Sequence, residues 1–264
     1  MPGDLILLAQ LCAWFVILCT VFIPLEQFFA LRPQKIRRPQ FLNDLGFFFL
    51  SGLMPKLILA IPMAALAFGF NRILPSALLA FTAQLPLWAK LLGSLTLGEI
   101  GFYWGHRWMH EIPFLWRFHA LHHSAEKIDF MVNTRLHPID LVFTRLCGFV
   151  PIYALGFAAP TTHLADNTPL MFILFGVVWG FFLHANIRAR FGPIEKVIAM
   201  PAFHHWHHSK VDHANHNYAS VFAWLDRIFG TYYLPDEWPA EYGIVDKAPE
   251  DFASQILEPF DRKP

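Results

Sequence analysis

Uncharged stretches long enough to cross a bilayer fill the first part of this chain, and the polar positions that follow are dominated by histidine. Residues Leu5 to Leu25 carry no charge, and about 20 apolar residues suffice to cross the hydrocarbon core as a helix, so this is the first predicted span. A cleaved signal peptide fits less well, because the stretch is long and lacks both a basic n-region and a small-residue cleavage site. From Leu45 to Phe70 only Lys56 interrupts the apolar run. Pro55 and Pro62 are expected to kink this second span rather than end it, as buried membrane helices tolerate. Trp88 to Tyr103 forms a third segment, with Lys90 near its start and Glu99 inside it. Two shorter uncharged runs, Leu146 to Thr162 and Asn167 to Leu183 (interrupted before it only by Asp166), are at the lower length limit and fit either a membrane hairpin or a re-entrant pair.

Composition sharpens the picture. Over 264 residues the chain is 55% hydrophobic and only 15% charged, outside the usual soluble range, and the predicted class is an all-α integral membrane protein. Arg32, Lys35, Arg37 and Arg38 follow the first span directly and by the positive-inside rule belong in the cytoplasm. Counting spans from there brings His106, beyond the third, to the same side. From Arg188 onward both signs of charge mix with prolines, which reads as a soluble cytoplasmic cap on a multi-pass protein. The formal net charge is +0, so nothing points to a nucleic acid partner. Cys12, Cys19 and Cys147 lie in apolar segments without paired spacing, which argues against a disulfide framework.

The candidate chemistry is in the histidines, all of which lie at or beyond residue 106. His106 and His110 are four apart, so on a helix they project from one face a turn apart, which suits two imidazoles meeting one ion. His119, His122 and His123 repeat this at i, i+3 and i+4, and the same pattern returns in His204, His207 and His208. A single pair also occurs on solvated helix faces; three matching clusters argue for metal. Imidazole favours zinc, copper, iron and nickel, and no cysteine is near enough in sequence for a thiolate site. With this many imidazoles, two ions are more economical than one. A zinc-dependent membrane hydrolase is one alternative, but Phe114 stands where the second His of His-Glu-x-x-His would be. A haem or metal transport protein is another, but it would place histidines at mid-span, whereas these lie beyond the span ends. His137 and His184 fall at the membrane edge, where a lone histidine is more often structural. His163, between the two short apolar runs, is assigned no role.

The stretch Tyr103-Trp104-Gly105-His106-Arg107-Trp108-Met109-His110, followed by Pro113, Leu115-Trp116, His119 and His122-His123-Ser124, closely resembles the fatty acid hydroxylase and sterol desaturase superfamily of integral-membrane non-haem di-iron enzymes. His137-Pro138, His184-Ala185-Asn186, the His204 cluster, Asn217-Tyr218 and Trp224 to Thr231 are similar to the later family motifs, in order. The resemblance runs from about Gly98 to Tyr233. It implies a transmembrane stem over residues 1–100, a catalytic region over 101–233 that includes the two short membrane segments, and a C-terminal tail over 234–264. It also implies a cytoplasmic helical cap carrying a histidine-rich di-metal site, in a bacterial inner membrane or the endoplasmic reticulum.

Carried over motif by motif, the resemblance implies two non-haem iron ions on His106, His110, His119, His122, His123, His184, His204, His207 and His208. His137 is carried over as a tenth ligand or as a residue behind one. Asn217, Tyr218, Glu99 and Asp140 are candidates for supporting the ligands, since ligating imidazoles generally need a partner on the other ring nitrogen. For Glu99 and Asp140 a plain salt bridge to Arg107 or Arg145 is the equal alternative. His205, His213 and His216 exceed the pattern, and Ala219 stands where glycine commonly follows the Asn-Tyr pair. The implied activity is hydroxylation, or desaturation, of a long-chain lipid or sterol-like substrate with dioxygen and two electrons. Those electrons come from a separate donor protein, because the chain has neither Cys-x-x-Cys-His nor Gly-x-Gly-x-x-Gly.

Overall fold

A computed structural model describes residues 2–54, 58–158, 168–210 and 215–261, with side chains from residue 5 and, in the helix beginning at 168, from residue 174. Among these residues the chain is helical without strands, and β-type pairing is confined to isolated bridges such as Ala30 with Ile187 and Ser209 with Tyr242. Helix α1 (Pro2–Phe28) is long and apolar enough to cross a membrane from Leu5 to Phe28 and is mostly unburied. Its inner face contributes Leu18 and Phe22 to a cluster with Phe48, Phe130 and Phe181.

The second predicted span is described in two parts, on either side of residues 55–57. The chain forms α2 (Phe41–Met54) and α3 (Ala60–Ile73), each of 14 residues and each too short to cross a bilayer alone. Ile58 and Leu59 form a π-type turn before α3, and Pro55 lies outside the described residues. Pro62 stands in the first turn of α3, directly after that π-type turn. Helix α4 (Ser76–Gln84) turns back from α3 at 113°, and the pair together is long and apolar enough for a broken span or a re-entrant loop.

The third predicted span continues well past its apolar part, as α5 (Leu87–Glu111), a single 25-residue helix. It buries polar residues on opposite faces, Lys90 and Ser94 on one and Glu99, His106 and His110 on the other, and this makes α5 the central pillar. It packs most extensively on α7 (Pro138–Ala154). Gly101 and Gly105 lie one turn apart against Cys147 of α7, and a side chain at either would run into that residue. Small residues at this spacing let two helix backbones approach closely. The shorter helices α6 (Pro113–His123) and α8 (Thr168–His184) each end in a histidine of the site, α9 (Pro201–His207) stops one residue short of His208, and α10 (Trp224–Phe229) lies downstream. The predicted position of His163 lies outside the described residues.

The C-terminal segment folds back on the rest of the chain. Its helix α11 (Phe252–Asp261) sets Phe260 against Phe118 at 5.6 Å and Phe252 against Phe47 at 4.7 Å, while Arg117 donates to the Pro259 carbonyl. Where the chain leaves α1, Arg38 pairs with Asp129 at 2.6 Å and Asp44 at 2.7 Å, and Arg135 pairs with Asp44 at 2.6 Å, all buried. Buried charges persist only when paired and hydrogen-bonded. This network fixes the segment that carries Arg135 beneath the site.

Candidate metal centre

Nine histidines, all buried, converge as two groups. His106, His110, His119, His123 and His207 form one, and His122, His184, His204 and His208 form the other; within each, one ligating atom per residue lies within 4.8 Å of all the rest. Helix spacing explains the sorting. Residues four apart share a face, so His106 and His110 of α5 and His119 and His123 of α6 enter the five-membered group, while His204 and His208 enter the four-membered one. The i+3 member of each triplet crosses over: His122 joins the second group and His207 the first. Thus α6 and the α9 segment each serve both groups, and His123 and His208 stack between them with ring centroids 4.4 Å apart.

The outward ring nitrogens fix the tautomers. His106 Nδ1 lies 2.7 Å from the Tyr218 carbonyl, His184 Nδ1 2.7 Å from the Gly180 carbonyl, His207 Nδ1 2.8 Å from the His216 carbonyl, and His122 Nδ1 3.3 Å from the Arg135 carbonyl. His119 Nδ1 meets Asp140 Oδ2 at 2.8 Å. Only an N–H can serve these acceptors, so in a neutral ring Nε2 is a bare lone pair directed inward. Burial holds His184 down to about 4 and His207 to about 3. Burial and then neighbouring imidazoles hold His106, His110, His122, His123, His204 and His208 well below the usual value.

Bare lone pairs then face one another. His122 Nε2 and His184 Nε2 are 3.2 Å apart, and His106 Nε2 and His119 Nε2 are 3.1 Å apart; between neutral rings neither pair has a proton to share. His184 Nε2 is also 3.0 Å from His204 Nε2 and 3.1 Å from His208 Nε2. Imidazole–metal bonds of about 2.0–2.1 Å place neighbouring ligand nitrogens roughly 3.0–3.4 Å apart, so these contacts have the dimensions of coordination edges. His110 Nε2, His207 Nε2 and both nitrogens of His123 are buried without hydrogen-bond partners, a costly state that a cation relieves. An all-imidazole donor set suits zinc, copper, iron or nickel.

The loop after α9 presents the Tyr218 carbonyl to His106 and is held from three sides. Asn217 takes a left-handed backbone (φ 60) and its side chain bonds the Phe203 carbonyl at 2.8 Å and the backbone N–H and carbonyl of Tyr233. Asp226 accepts from the N–H groups of Tyr218 at 2.7 Å and Ala219 at 2.9 Å. Glu99 accepts from the Ser220 hydroxyl at 2.8 Å and the Val221 N–H at 2.7 Å. The predicted Glu99–Arg107 salt bridge is therefore not formed, and Arg107 pairs with Glu111 at 2.8 Å. Asp140 is likewise engaged with His119 and not Arg145.

His137 is not brought to either group. Its Nδ1 accepts from the Ile139 N–H at 3.1 Å, capping α7, and its Nε2 donates to the Ile256 carbonyl at 3.2 Å. With both nitrogens so used, His137 joins α7 to α11 and has no lone pair for a metal. His205 also stands aside, between the Tyr242 hydroxyl at 2.9 Å and the Ala185 carbonyl at 3.1 Å. His216 contributes its carbonyl, and His213 lies outside the described residues. Asp226 and the carbonyls of Arg135, Gly180 and His216 were not singled out by the sequence. Asp226 has a signal in the Trp224 to Thr231 motif; a backbone carbonyl has none.

The chain is similar to an ornithine lipid hydroxylase of Rhizobium tropici, 36% identical over 186 residues that make up 68% of this chain and 53% of that protein. It is 30% identical to the human alkylglycerol monooxygenase over 149 residues, 56% of this chain and 31% of that one. With a Gibberella zeae Delta(7)-sterol 5(6)-desaturase it shares 29% identity over 139 residues, 53% of this chain and 36% of that one. The matched part thus spans between about a third and a half of these relatives' length. No solved structure matches the chain. The fatty acid hydroxylase family model matches residues 91–231, more than half of the chain and a stretch containing all nine converging histidines, and the chain belongs to that family.

Proposed function

We propose that this protein is a membrane-bound oxygenase that hydroxylates a long-chain lipid, using two non-haem irons, dioxygen and two electrons from a separate donor protein. The observation that carries the reading is the pair of buried, carboxylate-free imidazole groups that share α6 and the α9 segment. His106, His110, His119, His123 and His207 would hold one iron, and His122, His184, His204 and His208 the other. When bound, such a pair supplies the activation of dioxygen needed to break an unactivated C–H bond.

The rest is the work of the chain's own side chains and carbonyls. The carbonyls of Tyr218, Gly180, His216 and Arg135 hold the Nδ1 protons and so keep each Nε2 directed inward. Asp140 sets the tautomer of His119 and offsets positive charge behind it. The full burial of all nine rings keeps bulk water away from the reacting atoms. The exposed apolar surface of α1 and α3, including Val21, Phe28, Ile61 and Phe68, suits hydrocarbon and supports a lipid substrate entering from the bilayer. The names of the relatives, a lipid hydroxylase, an alkylglycerol monooxygenase and a sterol desaturase, support an amphiphilic substrate and an oxidative reaction. Hydroxylation is the reading favoured here; an unlabelled alkene as product would change it to desaturation.

Protein purified without air should carry two irons per chain. His122→Ala and His208→Ala should lower iron content and abolish activity, and His163→Ala should do neither. One zinc and no iron would replace the oxygenase with a hydrolase. The same reading puts the N-terminus outside and residues 32–38 and the region after Arg188 in the cytoplasm, with the active site facing that side. A cysteine placed at Lys210 should therefore be labelled only from the cytoplasmic face.

A further inference from the structure

We propose that a cleft between residues 33–39 and Lys127 binds the phosphate of an anionic phospholipid at the membrane surface. The cleft has a volume of about 570 Å³ and is lined by Pro33, Lys35, Arg37, Arg38, Pro39 and Lys127, with Gln34. The basic residues of this region fall into two kinds. Arg38 is buried and committed to Asp129 and Asp44, and Arg32 lies 4.4 Å over the Tyr242 ring and donates to the Pro239 carbonyl. Lys35, Arg37 and Lys127 are exposed and, among the described residues, pair with no carboxylate. The exposed carboxylate next to them in sequence, Glu126, still leaves a positive surplus.

The segment that carries Lys35 and Arg37 is fixed at several points. The Leu31 N–H donates to the Asn186 carbonyl at 3.2 Å, the Arg32 N–H to Asn186 Oδ1 at 3.1 Å, and Asn186 Nδ2 to the Arg32 carbonyl at 2.8 Å. Gln34 Nε2 donates to the Ile128 carbonyl at 3.0 Å, and the Arg38–Asp129 pair closes the far end. Anchoring of this kind lowers the ordering cost of binding. Asn186 follows His184 by two residues, which ties the cleft to the frame that bears the metal groups.

Position argues for a lipid over an acidic protein. The segment follows α1 directly, and Phe28 (81% exposed), Phe29 (61%) and Ile36 (47%) stand beside the cations. Apolar side chains interleaved with lysine and arginine match the boundary between acyl chains and anionic headgroups. This site is independent of the oxygenase reading and can fail or stand without it.

The full chain, delipidated in non-ionic detergent, is titrated with short-chain phosphatidylglycerol, short-chain phosphatidylcholine and inorganic phosphate, with binding read by native mass spectrometry and by the unfolding midpoint. Phosphatidylglycerol should bind and raise the midpoint, phosphatidylcholine should bind far more weakly, and inorganic phosphate should not displace the lipid. Combining Lys35→Gln, Arg37→Gln and Lys127→Gln should weaken phosphatidylglycerol binding by roughly fivefold per cation, on the order of a hundredfold in all. Metal content should stay unchanged, and Arg188→Gln with Lys196→Gln, exposed cations outside the cleft, should bind like the parent. Parental phosphatidylglycerol binding by the triple variant would overturn the proposal. Equal competition by inorganic phosphate would make the cleft a free-anion site. A triple variant that keeps lipid binding but loses turnover only with a protein electron donor would assign the cleft to that donor.

Discussion

Asp140→Asn tests the one carboxylate that, among the described residues, hydrogen-bonds a converging imidazole. Its Oδ2 accepts from His119 Nδ1 at 2.8 Å, with the two side chains 1% and 3% exposed. Asparagine keeps the size and can still accept through Oδ1, so the ring orientation survives. What disappears is the negative charge behind one ligand of the five-imidazole group. Partners of this kind are worth about 10–100-fold in metal affinity, or about 1.4–2.7 kcal/mol, which agrees with the roughly 1.5–3 kcal/mol expected for a hydrogen bond to a charged group. A chelator titration of the loaded parent should remove the two metals at similar concentrations, whereas the variant should release one of them about 10–100-fold earlier. Asp140→Ala, which removes the acceptor, should lie at the upper end. The Asp140 carbonyl, which accepts from the Thr144 hydroxyl at 2.8 Å, is untouched, so helix α7 should persist by circular dichroism. Parental affinity for both metals, or their simultaneous loss from a folded variant, would refute the role given to Asp140.

His137→Ala should cost about 0.5–2 kcal/mol of stability through the lost cap while metal content stays at the parental level; a drop in metal would restore His137 as a ligand. Gly101→Ala places a methyl group against the Cys147 carbonyl and should lower stability by about 1–3 kcal/mol, read as the unfolding midpoint; an unchanged midpoint would show that α5 and α7 are not in close contact there. In metal-stripped protein, burial holds His184 to about 4 and His205 to about 3, against about 6.5 in the unfolded chain. The unfolded state then binds more protons below about pH 6.5, so stability should be full above that pH and fall toward pH 4, by at most about 1.4 kcal/mol per group per pH unit. A midpoint that rises on acidification would contradict this.

The first helix and the histidine helices were legible because each rests on a local pattern: an uncharged run for α1, and four-residue spacing for the pairs on α5, α6 and the α9 segment. The π-type turn at Ile58 and Leu59 was not, since an apolar run reads alike whether or not the helix is regular. Nor was the crossing of His122 and His207 between groups, which depends on how α6 and the α9 segment face each other. Glu99 and Asp140 were picked out either as supports of the ligands or as partners of Arg107 and Arg145, and only the salt bridges fail to form. A buried carboxylate can equally be satisfied by backbone N–H groups, as Glu99 is, or by an imidazole, as Asp140 is. His137 entered the ligand set on motif order, although a polar residue followed by proline is itself a helix-start pattern, and that is the use the structure makes of it.

Oxygen-isotope tracing decides whether this protein is an oxygenase. Membranes containing the protein, supplied with reductant, an electron donor and labelled dioxygen, should incorporate one labelled oxygen atom into a lipid, and His110→Ala membranes should incorporate none. Incorporation from labelled water instead would contradict the oxygenase account.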